Sequence, residues 1–214
     1  MKTKSKALLL TLCAVLLVAA SVMGTMAYLT STDKVENTFT VGNVKITLDE
    51  AKVNTDGTPV TPAERVKANE YKLLPGHTYT KDPMVTVLNG SEASYIKMTV
   101  TFSKASALDA IFAPTGADLI SIFNGYDSAN WIYKDNTKDA NADTRTYEFW
   151  YKETVGAPTA DVALDALFDS ITVPGTITNE QLATIEGMTI TVNAYAIQAD
   201  GFANADAAWA AYAG

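Results

Sequence analysis

The chain contains one histidine, His77, and one cysteine, Cys13. A helical zinc site of the His-Glu-x-x-His kind needs two imidazoles one turn apart, so a single histidine cannot build it. Serine and cysteine nucleophile mechanisms fail on the same count. His77 would have to serve as the base, and Cys13 lies inside an apolar run near the N-terminus. Asp and Glu number 24, yet no spacing singles out two of them as a glycosidase pair. The chain therefore reads as non-enzymatic, with no cofactor called for. His77 itself follows Pro75-Gly76 and reads as an exposed turn residue.

Two weaker constellations remain. Asp139, Asn141 and Asp143 have the 1, 3, 5 spacing of a calcium loop, with Asp135 just upstream. Position 6 is Thr144 rather than Gly and position 12 is Trp150 rather than Glu, which excludes an EF-hand. What is left is a loose calcium candidate, set against an Asx-rich turn whose side chains cap their own backbone. Trp131, Tyr133, Trp150 and Tyr151 offer aromatic surface for a polysaccharide. Adjacent strand residues face opposite sides, however, so core packing is the better use of them. Asn89-Gly90-Ser91 satisfies a glycosylation sequon and also reads as a turn.

The elements that must carry these residues are mostly strands. Ile96, Met98, Val100 and Phe102 alternate with Lys97, Thr99 and Thr101, one face apolar and one wet, as in an antiparallel sandwich. Phe39 and Val41, then Val44, Ile46 and Leu48, alternate with a phase switch at Gly42-Asn43, predicting a strand pair or a bulged strand. Residues 51–70 are polar and contain Asp56-Gly57, Pro59 and Pro62, predicting a long loop or hairpin excursion. Leu73-Leu74-Pro75-Gly76 reads as a turn before a strand around Val85 and Val87. Trp131–Tyr133 and Tyr147–Tyr151 form a hairpin about a polar turn from Asp135 to Thr144. Met188, Ile190, Val192, Ala194 and Ala196 alternate with no Pro, which predicts a central strand. Helical spacing covers Ser106–Phe123, broken at Pro114-Thr115-Gly116, then Thr178–Glu186 and Asn204–Tyr212. Thr178 with Gln181 matches a capping box, Gly187 marks a stop, and Asn204 can cap the last helix. No linker divides residues 38–200.

Lys2, Lys4 and Lys6 precede an uncharged run from Ala7 to Ala27, the pattern of a secretory signal peptide. Thr25 and Ala27 are the small residues a signal peptidase needs, placing cleavage between Ala27 and Tyr28. The run exceeds the usual 7–15 apolar residues, so an uncleaved anchor is the other reading. Without residues 1–27 the chain has no cysteine and relies on its core rather than on disulfides. Three of the 16 basic residues and none of the 24 acidic ones precede position 28, leaving 13 against 24 and a balance of −11. A chain so acidic does not track nucleic-acid phosphates, and anionic membranes repel it.

Several stretches together resemble the TasA/camelysin family of exported Gram-positive proteins. Gly24-Thr25-Met26-Ala27-Tyr28-Leu29-Thr30 is similar to that family's cleavage region. Asn37-Thr38-Phe39-Thr40-Val41-Gly42-Asn43-Val44 resembles its opening strand, and Leu74-Pro75-Gly76 with Lys81, Val85, Val87, Asn89 and Gly90 its next strand and turn. Ala194-Tyr195-Ala196-Ile197-Gln198-Ala199, then Gly201-Phe202 and Ala208-Trp209, resemble its last strand and terminal helix. Residues 51–70 and 104–175 match nothing in that pattern.

The resemblance implies a mostly β, jelly-roll-like antiparallel β-sandwich with a few short peripheral helices, cut from its signal by a SipW-type peptidase. It implies secretion to the cell surface or extracellular biofilm matrix and self-association into filaments, with other matrix proteins as further partners. It divides the chain into a signal peptide (1–27), a flexible N-terminal segment (28–37) and one sandwich domain with a C-terminal helix (38–214). Membrane contact is then limited to the signal peptide before cleavage. Within 28–37 the apolar residues free to act as a donor strand are Tyr28, Leu29 and Val35. Such a segment can satisfy the open edge of a neighbour's sheet, and a heterologous contact that does not close makes a filament. The alternative is a monomeric extracellular adhesion or glycan-binding sandwich. A metalloprotease, the class given to camelysin-type relatives, is disfavoured by the histidine count.

Overall fold

The structure is a computed structural model that describes residues 6–7, 10–17, 42–112 and 122–212. The chain divides into two units, Met1–Val41 and Gly42–Gly214. In the first, residues 10–17 are helical (α1), and Leu10, Leu12, Val15, Leu16 and Leu17 are exposed. No helix among the described residues is long and apolar enough to cross a membrane. Ala27, Tyr28, Leu29 and Val35 lie outside the described residues, as do Phe39 and Val41.

The second unit is an antiparallel β-sandwich, with eleven strands in three sheets among the described residues. One sheet has the order β2-β1-β4-β9, formed by Arg65–Val66, Ile46–Ala51, Met84–Val87 and Val162–Ala163. A second has the order β3-β10-β6, formed by Thr78–Thr80, Ser170–Thr172 and Phe123–Asn124. The third has the order β11-β5-β8-β7, formed by Ile190–Gln198, Ser94–Ser103, Thr144–Tyr151 and Trp131–Asp139. Among the described residues three short helices accompany them: α2 (Ala105–Phe112), α3 (Asn179–Thr184) and α4 (Ala205–Ala211).

The alternation in β5 is realised residue by residue. Ile96, Met98, Val100 and Phe102 are fully buried, while Lys97, Thr99 and Thr101 face the other side. Against them pack Val85 and Val87 of β4, Tyr147 and Phe149 of β8, and Trp131 of β7. Phe123 closes the centre, its ring 4.7–5.9 Å from those of Phe168, Tyr147, Phe149 and Phe102. A smaller cluster of Tyr79, Val173, Ile177 and Ile185 lies beside this core.

Residues 51–70 form the expected hairpin excursion. β1 pairs with β2, Val53 bridges Pro59, and Gly57 turns at φ 85° against Tyr79. The Thr178 capping box with Gln181 is present, Gly187 adopts φ 70°, and Asn204 caps α4. Three expectations change. α2 covers Ala105–Phe112 and residues 113–121 lie outside the described residues, but Phe123, expected as the end of that helical stretch, is a strand residue paired with Ile171, because its ring is drawn into the sandwich core. The β7–β8 turn is shorter than Asp135 to Thr144: Asp135, Thr137 and Asp139 pair with Glu148, Thr146 and Thr144, so polar residues that look like loop are the wet face of a strand. Finally, β11 pairs with β5 alone among the described residues and stands at a sheet edge, not at its centre. Period-2 alternation reports a buried face; it carries no information on how many neighbours a strand has.

Candidate functional site

An open sandwich is exposed to unwanted pairing at its edges, and proteins blunt those edges with short strands, charges and bulges. Most edges here are blunted. β2, β9 and β6 have two residues each and β3 has three. β7 is long, but a register shift interrupts it between Tyr133 and Asp135, and it carries Lys134, Asp135, Lys138 and Asp139. The flank of β1 not paired with β4 is capped by side chains: Lys67 Nζ donates to Leu48 O, and Arg65 Nη2 donates to Asp49 O at 3.1 Å. The Arg65 guanidinium also pairs with Asp49 and with Asp82, the latter at 2.8 Å.

β11 has none of these devices. Its nine residues, Ile-Thr-Val-Asn-Ala-Tyr-Ala-Ile-Gln, include no charge and no proline, and its pairing with β5 runs without a register shift from Ile190–Phe102 to Gln198–Ser94. Ile190, Val192, Ala194 and Ala196 pack on the core yet remain only partly buried. β1 lies against this strand, and its Ile46 and Leu48 are partly buried in the same way. The result is an unblunted, uncharged edge over a thinly covered flank of the core.

The other face of the same sheet is sealed at one end. Lys97 Nζ sits 4.6 Å from the Trp209 ring centroid and 5.4–5.5 Å from those of Tyr195 and Tyr212, with Glu148 at 3.5 Å. Lys134 Nζ lies 3.9 Å over Trp150 and pairs with Asp206 of α4 at 3.3 Å. Cations over aromatic faces and an ion pair thus fasten α4 to the sheet.

This arrangement decides where the aromatic candidates go. Trp131 is buried, donating its indole N–H to Asp165 O at 3.1 Å, and Tyr133 and Tyr151 line the same core side. Trp150 is on the opposite face beneath Lys134 and Trp209, so the four residues form no common platform. His77 is exposed in the turn that Gly76 makes at φ 73°. Gly90 turns at φ 75° next to Asn89.

In the calcium candidate the carboxylates are engaged with protein donors. Asp139 Oδ1 accepts from the N–H of Asn141 at 2.8 Å and of Ala142 at 3.1 Å. Asp143, at φ 49°, accepts through Oδ1 from the N–H and hydroxyl of Ser106 at 2.9 and 2.8 Å, capping the start of α2. Those two bonds hold the Asp143 carboxyl below its ordinary range. Nearby, burial alone would raise Asp109, but bonds from Arg145 and Lys138 outweigh it and hold that carboxyl low. Among the described residues no three His, Cys, Asp or Glu side chains converge as a metal site.

A polar cluster that the sequence did not single out lies where β1 ends. Glu50 and Lys81, 7% and 6% exposed, form an ion pair at 2.5 Å, and Asn69 bonds the same carboxylate. It joins three segments, of which the sequence marks only Lys81, as part of a family-like motif. The chain matches no protein-family model, no curated protein and no solved structure.

Proposed function

We propose that this chain is an exported, non-enzymatic structural subunit of the cell surface or biofilm matrix, of TasA/camelysin type. It is a jelly-roll-like sandwich that polymerises by strand donation. Cleavage between Ala27 and Tyr28 frees residues 28–37, and Tyr28, Leu29 and Val35 supply their apolar contacts to the next subunit. The observation that carries the reading is β11, the one long strand edge without a charge, bulge or proline among the described residues. An added strand would satisfy its backbone and cover Val192, Ala194 and Ala196. Donor and acceptor surfaces differ, so the contact repeats head to tail and builds a fibre.

The test is negative-stain electron microscopy of concentrated residues 28–214, beside residues 38–214 and beside a Thr191→Lys/Asn193→Lys double variant. Both substituted residues are exposed, so the fold is preserved while the edge gains charge. Filaments are expected from the first sample only. Monodisperse particles from all three, across salt and acid conditions, would sink self-assembly and move the assignment to a monomeric adhesion or glycan-binding module. Filaments from residues 38–214 would refute the donor segment.

A further inference from the structure

The buried cluster at the end of β1 places a nucleophile, an acid–base group and an electrophile in one hydrogen-bonded chain. Glu50 Oε2 accepts from Lys81 Nζ at 2.5 Å, and Glu50 Oε1 accepts from Asn69 Nδ2 at 2.9 Å. Asn69 Nδ2 also donates to Ala51 O at 2.9 Å, and Asn69 Oδ1 accepts from the backbone N–H of Val53 at 3.0 Å. These partners orient the amide unambiguously: its nitrogen faces the carboxylate and its oxygen faces a backbone donor. Lys81 shares the wall of an apolar cleft with Tyr71, Tyr79 and Phe102; Glu50 and Lys81 are buried, and Asn69 is partly buried.

We propose that this constellation forms an intramolecular isopeptide bond between Lys81 and Asn69, with Glu50 as the proton carrier. A buried ion pair can collapse to neutral amine and carboxylic acid by moving one proton along the Lys81–Glu50 bond. Lys81 Nζ, now with a free electron pair, attacks Asn69 Cγ, and a carbon–nitrogen bond forms. The negative charge that develops on Asn69 Oδ1 is met by the Val53 N–H, which already points at that atom. Glu50 gives its proton to Nδ2, the Cγ–Nδ2 bond breaks and ammonia leaves. The amide nitrogen loses its second proton through the same carboxylate, and ammonia departs as ammonium. Amine plus amide become secondary amide plus ammonia, so no oxidant or reductant is required.

Three separate features recommend this over a purely structural ion pair. Glu50 uses one oxygen on each reactant, the amide oxygen has its own donor, and the groups come from three different stretches of chain. The product would tie residues 51–70 to the strand ending at Thr80, in a protein with no cysteine beyond Cys13 to do so by a disulfide. This inference does not depend on filament assembly.

Intact mass spectrometry of the purified, folded protein tests it. The wild-type chain should be lighter than its sequence by one ammonia, about 17 Da. Trypsin should yield a branched peptide in which residues 68–72 are joined through Asn69 to Lys81 within residues 73–97, uncut at Lys81. Asn69→Ala and Glu50→Gln should each have the full sequence mass and give the unbranched peptides. A wild-type chain at full mass overturns the proposal. So does a deficit that maps to Asn89-Gly90, where ring closure of the asparagine loses the same mass, or one that persists in Asn69→Ala. Retention of the branch in Glu50→Gln would overturn the role of Glu50.

Discussion

Phe123 is 3% exposed and lies where the sheets meet, so Phe123→Ala gives the sharpest test of how the sandwich is held together. The residue belongs to a two-residue strand, and its backbone pairing is correspondingly slight. Its ring does the joining, with centroids 4.7 Å from Phe168, 5.2 Å from Tyr147, 5.7 Å from Phe149 and 5.9 Å from Phe102. Truncating a buried Phe to Ala costs about 3–5 kcal/mol. Edge-to-face ring pairs are worth about 0.5–1.5 kcal/mol each beyond area burial, and two of these four are nearly perpendicular, at 90° and 84°. The loss belongs near the top of the range, about 4–5 kcal/mol, against a total stability of about 5–15 kcal/mol for a domain. At about 2–4 °C per kcal/mol for a domain of this size, the melting temperature should fall by roughly 8–20 °C. Urea titration followed by tryptophan fluorescence measures the change, with the slope compared to exclude an altered unfolded state. A loss below about 2 kcal/mol with an unchanged slope would show that the sheets are held elsewhere and refute the reasoning. Phe123→Leu, which keeps most of the volume but no ring, should recover more than half of the lost stability.

Gly125 and Gly90 make a matched pair: both have positive φ, but a Cβ on Gly125 would run into the Asp169 side chain whereas one on Gly90 meets nothing within 4 Å. Gly125→Ala should therefore destabilise by about 2–4 kcal/mol and Gly90→Ala by only about 1–2 kcal/mol, read by thermal melts. Lys97→Met should cost about 1–2 kcal/mol by removing the cation from between Trp209, Tyr195 and Tyr212, and limited proteolysis should then cut within α4 first. Asp109, whose folded-state carboxyl ionises below its unfolded value, contributes stability that is complete above about pH 4 and is lost as pH falls through the lower folded-state value. Asp109→Asn should flatten that acid limb in pH-dependent urea titrations, and an unchanged limb would remove the Asp109–Arg145–Lys138 network from the account.

Much of this molecule is legible along the chain. Alternation is a local property, so the buried face of β5, the aromatic face of β8 and the turn glycines can be read directly. The capping box at Thr178 and the cap at Asn204 are equally local, because a side chain there bonds backbone only three residues away. What the chain cannot display is which strands stay unpaired and which distant polar groups meet. β11 reads as a central strand because its pattern is clean; only the assembled sheet places it at an edge among the described strands. Phe123 reads as the end of a helix, and only the ring packing of the core turns it into a strand residue. Glu50, Asn69 and Lys81 are ordinary polar residues in sequence, separated by 19 and 12 positions, until the excursion folds back and brings them into one hydrogen-bonded cluster. Residue types and their spacing determined the sandwich and its inward faces, since burial of alternate side chains needs only near neighbours. The open edge and the buried Lys–Glu–Asn cluster were decided by tertiary structure, because both depend on contacts between segments that sequence periodicity does not relate.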